Sequence, residues 1–209
     1  KQLGKLTEEQ LQALWALVTA EPPDDEGLVL HSVDAICSLL ETPGSKLAYL
    51  DLSGTALCGV DGNGKPLLGC EYTHLSVDRL CTALRSEHCR LTTLKLTRCQ
   101  MRNTEAGSLA AAIKACSLTG PLVQTLVLEG WALPVPQLLG IRELNQGQHK
   151  RLSSECSKLL GSEVTLISEL LAENSHLETL DFNSSSIGPG TSRIAAAIRQ
   201  RTMPLLTLH

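Results

Sequence analysis

The sequence predicts an α/β fold, a solenoid with parallel strands on its concave face and helices on its convex face. Three observations predict it. Leucine supplies 41 of the 209 residues, while aromatic residues number five: Trp15, Tyr49, Tyr72, Trp131 and Phe182. One branched aliphatic shape used again and again suits an architecture in which every repeat puts the same side chain in the same slot. A spaced motif, Leu-x-x-Leu-x-Leu-x-x-(small or polar)-x-Leu, then recurs along the chain. Between its copies, aliphatic residues return at helical spacing.

The first copy is Leu47, Leu50, Leu52, Thr55 and Leu57. The second is Leu91, Leu94, Leu96, Cys99 and Met101, and the third Val123, Leu126, Leu128, Trp131 and Leu133. Leu177, Leu180, Phe182, Ser185 and Ile187 form the fourth. Met203, Leu206 and Leu208 open a fifth, cut off at His209, which reads as a fragment of a longer array. Around positions four and six, apolar residues alternate with their neighbours at the period of a strand. The inward residues of one short strand make no core alone, so the copies must stack.

Helices fill the returns. Residues 102–113 place Leu109 and Ile113 at i and i+4, and residues 188–198 do the same with Ile194 and Ile198. Gly107 and Gly190 accompany these two returns, and runs of alanine let both helices lie close to the sheet. Further helices are predicted over about 74–86 and 162–173. Upstream, Thr7 to Gln10 reads as a capping box before a helix with Leu11, Leu14, Trp15 and Val18 on one face. A second helix runs from about Leu28 to Leu40, stopped by Pro43-Gly44.

The motifs resemble the leucine-rich repeat family, and most closely its long-repeat, ribonuclease-inhibitor-like subtype. The resemblance covers about residues 28–209. It implies a single domain over 1–209: a helical N-terminal part, 1–46, then about four and a half irregular repeats over 47–209. It also implies a period of 28 or 29 residues, whereas the position-four residues here are separated by 44, 32, 54 and 26. The long intervals are read as insertions near 58–72 and 134–158, the second holding Pro134, Pro136 and the polar run 145–151. The family's ninth position carries a side chain that bonds backbone along the turn. Thr55, Cys99 and Ser185 can do so, but Trp131 cannot, so the ladder is expected to be disturbed there.

Charge and composition exclude several functions. The net charge of −4 and the few aromatics offer no basic field or stacking platform, so nucleic acid is not expected as a direct partner. No apolar run of membrane-spanning length occurs. Eight cysteines, several among apolar residues as at Cys37 and Cys81, are read as buried free thiols of a reducing, cytoplasmic compartment. Gly59-Val-Asp-Gly-Asn-Gly64-Lys65-Pro66 approaches a phosphate loop, but Pro66 replaces the magnesium-binding hydroxyl, and Asp-Gly and Asn-Gly are turn dipeptides. Cys70, His74, Cys81, His88 and Cys89 lack a paired Cys-x-x-Cys. No metal, cofactor or catalytic residue is expected.

The candidate site is the outward row of each strand: Tyr49, Asp51; Thr93, Lys95; Thr125, Val127, Glu129; Thr179, Asp181, Asn183. Read across, these give a threonine row (Thr93, Thr125, Thr179) and a mixed row (Asp51, Lys95, Val127, Asp181, Thr207). Curved repeat surfaces of this kind dock other proteins. The expected function is a non-enzymatic interaction scaffold, a subunit of a cytoskeletal, ciliary or ribonucleoprotein assembly. Two alternatives follow from the same resemblance. One is a GTPase-activating protein of the Ran-activating type, and the other is a recognition domain of a ubiquitin-ligase adaptor or innate sensor.

Overall fold

Leu50, Leu94 and Leu126 point into one core while their neighbours face outward, and that alternation sets the sheet. The computed structural model describes residues 25–60, 63–66, 72–119, 123–128, 131–141, 151–153, 161–174, 176–182, 188–201 and 207–208. In chain order these form α1 (Asp25–Glu41), β1 (Tyr49–Asp51), α2 (Leu75–Leu84), β2 (Thr93–Lys95), α3 (Asn103–Thr119), β3 (Thr125–Leu128) and β4 (Trp131–Pro134). There follow α4 (Val135–Leu139), β5 (Arg151–Ser153), α5 (Gly161–Leu171), β6 (Thr179–Asp181), a 3₁₀ turn (Gly188–Gly190), α6 (Thr191–Gln200) and β7 (Thr207–Leu208). The N-terminal capping box and its helix fall outside the described residues.

The architecture is mixed α/β with mostly parallel, open sheets. Strands β1, β2 and β3 are parallel and in register, with Leu50 opposite Leu94 and Leu94 opposite Leu126. Ladder bonds continue past the strand ends, from Leu52 N to Lys95 O at 3.0 Å and from Leu96 N to Val127 O at 2.9 Å. The motif leucines at positions four and six of the first four copies are buried, and the helices supply the other side of the core through Leu80, Leu109, Ile113, Leu166 and Ile194. Each such side chain contributes roughly 1.5–3 kcal/mol by leaving water.

At Trp131 the ladder changes. Residues 131–134 turn back as β4 and pair antiparallel with β3, Leu128 opposite Trp131 and Thr125 opposite Pro134. That edge of β3 is therefore taken, and a second sheet begins, β5-β6-β7, all parallel. The helices do not share the break. Helix α1 packs on α2, α2 on α3, α3 on α5 and α5 on α6, while α4 lies against β4 and α5.

Three expectations are corrected here. The segment around Leu180 does not align beside Leu126; it lies in the second sheet. The polar run ending at Arg151 is not all insertion, because Arg151–Ser153 is a strand with Leu152 opposite Leu180. That copy escapes the motif because His149 and Ser154 stand where it asks for leucine. The last copy is also shifted by two residues: Leu180 pairs with Leu208, not Leu206. Leu152, Leu180 and Leu208 are thus spaced 28 residues apart.

Candidate interaction surface

The outward residues of β1, β2 and β3 form two straight rows, because parallel pairing in register places like positions side by side. Tyr49, Thr93 and Thr125 make one row and Asp51, Lys95 and Val127 the other. Beyond them β4 adds Pro134 and Ala132, not a further copy of the motif. Thr179 and Asp181 belong to the second sheet, where Thr179 stands beside Thr207 and Asp181 beside Ser153. The expected rows are therefore divided, and Thr207 moves from the mixed row to the threonine row. Glu129 and Asn183 lie outside the described residues.

Tyr49, Asp51 and Lys95 form one cluster. The Lys95 ammonium lies 5.3 Å from the centroid of the Tyr49 ring and 3.8 Å from Asp51 Oδ2. The Tyr49 hydroxyl donates to the same carboxylate at 3.4 Å, and Ser53 N donates to Asp51 Oδ1 at 3.0 Å. Hydrogen bonds from Ser53, with Lys95 and Tyr49 adding to them, hold the Asp51 carboxyl below its ordinary range. Tyr49 and then Asp51 raise the Lys95 ammonium. Tyr49 remains 45% exposed, which is unusual for a large aromatic side chain so well positioned.

A cavity of about 410 Å³ lies at the carboxyl ends of β2 and β3. Leu96 and Leu128 line it below, with Gln100 to Asn103 along one wall and Gly161 to Glu163, the start of α5, along another. Asn103 joins the walls, accepting a hydrogen bond from Thr165 Oγ1 at 3.1 Å.

On either side of residues 61–62, which lie outside the described residues, Val60 bridges Pro66 antiparallel, and Gly59 and Gly64 adopt positive φ. Residues 67–71, where a phosphate loop would open its helix, lie outside the described residues. Cys81 is buried in the α2 core position, while His74 stands exposed with Nε2 3.7 Å from Asp78. Among the described residues no group of His, Cys, Asp or Glu is placed to hold a metal ion. Cys37, Cys58, Cys81, Cys89, Cys99 and Cys116 are free and buried. Burial pushes Cys37 and Cys81 up to about 12 and Cys58 and Cys116 up to about 11.

Three polar arrangements went unread in the sequence. Arg79 of α2 binds Glu41 at 2.8 Å through Nη2 and Asp34 at 3.0 Å through Nε, fastening α2 to α1. The Tyr72 hydroxyl accepts from Arg102 N at 3.0 Å, and the Arg102 guanidinium lies 3.6 Å from the Tyr72 ring centroid. Buried Glu105 shares that amide, its Oε2 also 3.0 Å away, as an acid three residues into a helix can. Burial and Glu105 push the Tyr72 hydroxyl well above the usual phenol range. Finally, buried Asn174 joins α4 to the approach to β6, donating to Gln137 O and Leu138 O at 2.7 and 2.8 Å. Its Oδ1 accepts from His176 N at 2.8 Å and Leu177 N at 2.9 Å. Glu105 had a local signal, its distance from the helix start, and so did the two bonds that Asn174 Oδ1 accepts from residues two and three ahead. The others depend on partners distant in the chain.

No protein-family model matches the chain. No curated protein matches it. Among solved structures it is similar to one titled "Leiomodin-1 Actin-Binding Site 2 (ABS2)", at 15% identity and a TM-score of 0.38, over 89% of this chain and 79% of that one. At that score the likeness carries no argument. No described helix is long and apolar enough to cross a membrane.

Proposed function

We propose that this chain is a non-enzymatic protein-interaction scaffold of the leucine-rich-repeat kind, a subunit of a larger cytoskeletal, ciliary or ribonucleoprotein assembly. Its partner docks on the open face of β1–β2–β3. The observation that carries this reading is the Tyr49–Asp51–Lys95 cluster on that face, an exposed aromatic ring held by a lysine and a carboxylate. An aromatic side chain whose position is already fixed loses little freedom on binding and is the usual anchor of an interface. Solenoid architecture is supported by the 28-residue spacing of Leu152, Leu180 and Leu208 and by the side-by-side packing of α1, α2, α3, α5 and α6. A reducing, cytoplasmic location is supported by six free buried thiols.

Crosslinking mass spectrometry on native extract names the partner and maps its contacts. Crosslinks should concentrate at Lys95 and its neighbours. Tyr49→Ala and Lys95→Glu should each weaken capture about tenfold, near 1.4 kcal/mol, without moving the unfolding midpoint. A chain that emerges alone from extract, or variants that capture the partner as well as the parent, would refute the reading.

A further inference from the structure

The turn that follows β2 follows an unusual path. Arg98 and Gln100 adopt φ of 58° and 54°, and among the described residues they are the non-glycine positions in the left-handed region. A side chain there crowds its own backbone, so the conformation persists where surroundings impose it. The surroundings are supplied by the segment between β1 and α2. Asn63 Oδ1 accepts from Arg98 Nη2 at 3.3 Å. Gly64 lies against Gln100, since a Cβ built there would come 3.6 Å from Gln100 Oε1. Tyr72 takes the Arg102 amide and stacks beneath its guanidinium. The segment is closed on itself by Thr73 N donating to Cys58 O at 3.0 Å and by the Val60–Pro66 bridge.

We propose that Asn63, Gly64 and Tyr72 act as a strap that holds the 97–102 turn in its left-handed path and so fixes one wall of the 410 Å³ cavity. The extra length between the first two copies of the motif then has a mechanical role. It makes the shape at the carboxyl ends of β2 and β3 depend on a second segment, and release of the strap would let the wall relax. This is independent of whether a partner docks on the sheet face.

Amide hydrogen exchange on the full chain tests it. In an Asn63→Ala/Tyr72→Ala variant, exchange across residues 98–101 should rise at least about tenfold, while Leu94 and Leu126 keep their parental rates. In a Gln100→Gly background the same pair should produce a rise under about threefold, because glycine takes the left-handed path unaided. The proposal is overturned by unchanged exchange at 98–101, by an equal rise through the sheet, or by an undiminished rise in the glycine background.

Discussion

The Cys99 thiol donates to the Leu52 carbonyl across 3.1 Å, joining the end of β2 to the end of β1. The same oxygen accepts from Thr55 Oγ1 at 2.6 Å and from Thr55 N at 3.1 Å. Cys99 and Thr55 occupy the ninth position of neighbouring motif copies and share one acceptor. Either one alone keeps that carbonyl satisfied from a side chain. Cys99→Ala and Thr55→Val should therefore cost about 1 kcal/mol each. The double variant should cost close to their sum, because Thr55 N still donates to that oxygen. Urea unfolding of the four proteins checks this, and a double variant costing well over about 1 kcal/mol more than the sum would contradict it.

Gly107 and Gly190 each accompany a return helix, Gly107 inside α3 and Gly190 just before α6, and they should respond oppositely to alanine. A Cβ on Gly107 meets nothing within 4 Å, so Gly107→Ala should stabilise by up to about 1 kcal/mol through helix propensity. A Cβ on Gly190 would lie 2.6 Å from Val164 Cγ1 and 2.8 Å from Cγ2. Gly190→Ala should cost about 2 kcal/mol by overpacking. Adding Val164→Ala should recover part of that loss, which thermal denaturation would show.

Asn174 satisfies four backbone groups where the two sheets part. Asn174→Ala removes all four bonds, leaving Gln137 O with its Gly140 N donor alone, and should cost about 3 kcal/mol. Asn174→Asp should fare little better, because a carboxylate cannot donate to Gln137 O and Leu138 O. An aspartate variant with parental stability in denaturant titration would show that the two donated bonds are dispensable.

The buried thiols predict alkaline sensitivity. Folding raises Cys37 and Cys81 from 9.0 to about 12, so the folded chain keeps protons that the unfolded chain releases above pH 9. Stability is present below that pH and is lost as pH rises from 9 toward 12. Each of these thiols should contribute a slope of about 1.4 kcal/mol per pH unit within the window. Urea midpoints at pH 8 and pH 10.5 measure it. At pH 8 the six described cysteines should resist iodoacetamide until the chain unfolds, as peptide mapping would reveal.

Local pattern settled a good deal. The spacing of Leu50, Leu94, Leu126 and Leu180 fixed which face of each strand is buried, since side chains alternate with a period of two. The i, i+4 pairs Leu109/Ile113 and Ile194/Ile198 located α3 and α6. Trp131, unable to accept backbone donors at the ninth position, marked where the ladder would change. The outward cluster on β1 and β2 followed from the same alternation, because Tyr49, Asp51 and Lys95 had to share a face.

Pairing partners were another matter. The edge of β3 goes to residues 131–134, which return antiparallel, and no periodicity within either segment encodes that choice. Leu152 stands in a copy without apolar residues at positions one and six, so only its pairing with Leu180 reveals the strand. Leu206 and Leu208 both fit the fifth copy, and the ladder alone chose Leu208. The two bonds that Asn174 donates, and the roles of Arg79 and Tyr72, depend on groups 30 or more residues away. Side-chain alternation is a property of a single strand and can be read along it. Pairing, capping across loops and burial of polar groups are energies of contact between distant segments, and they acquire values only once the chain has folded.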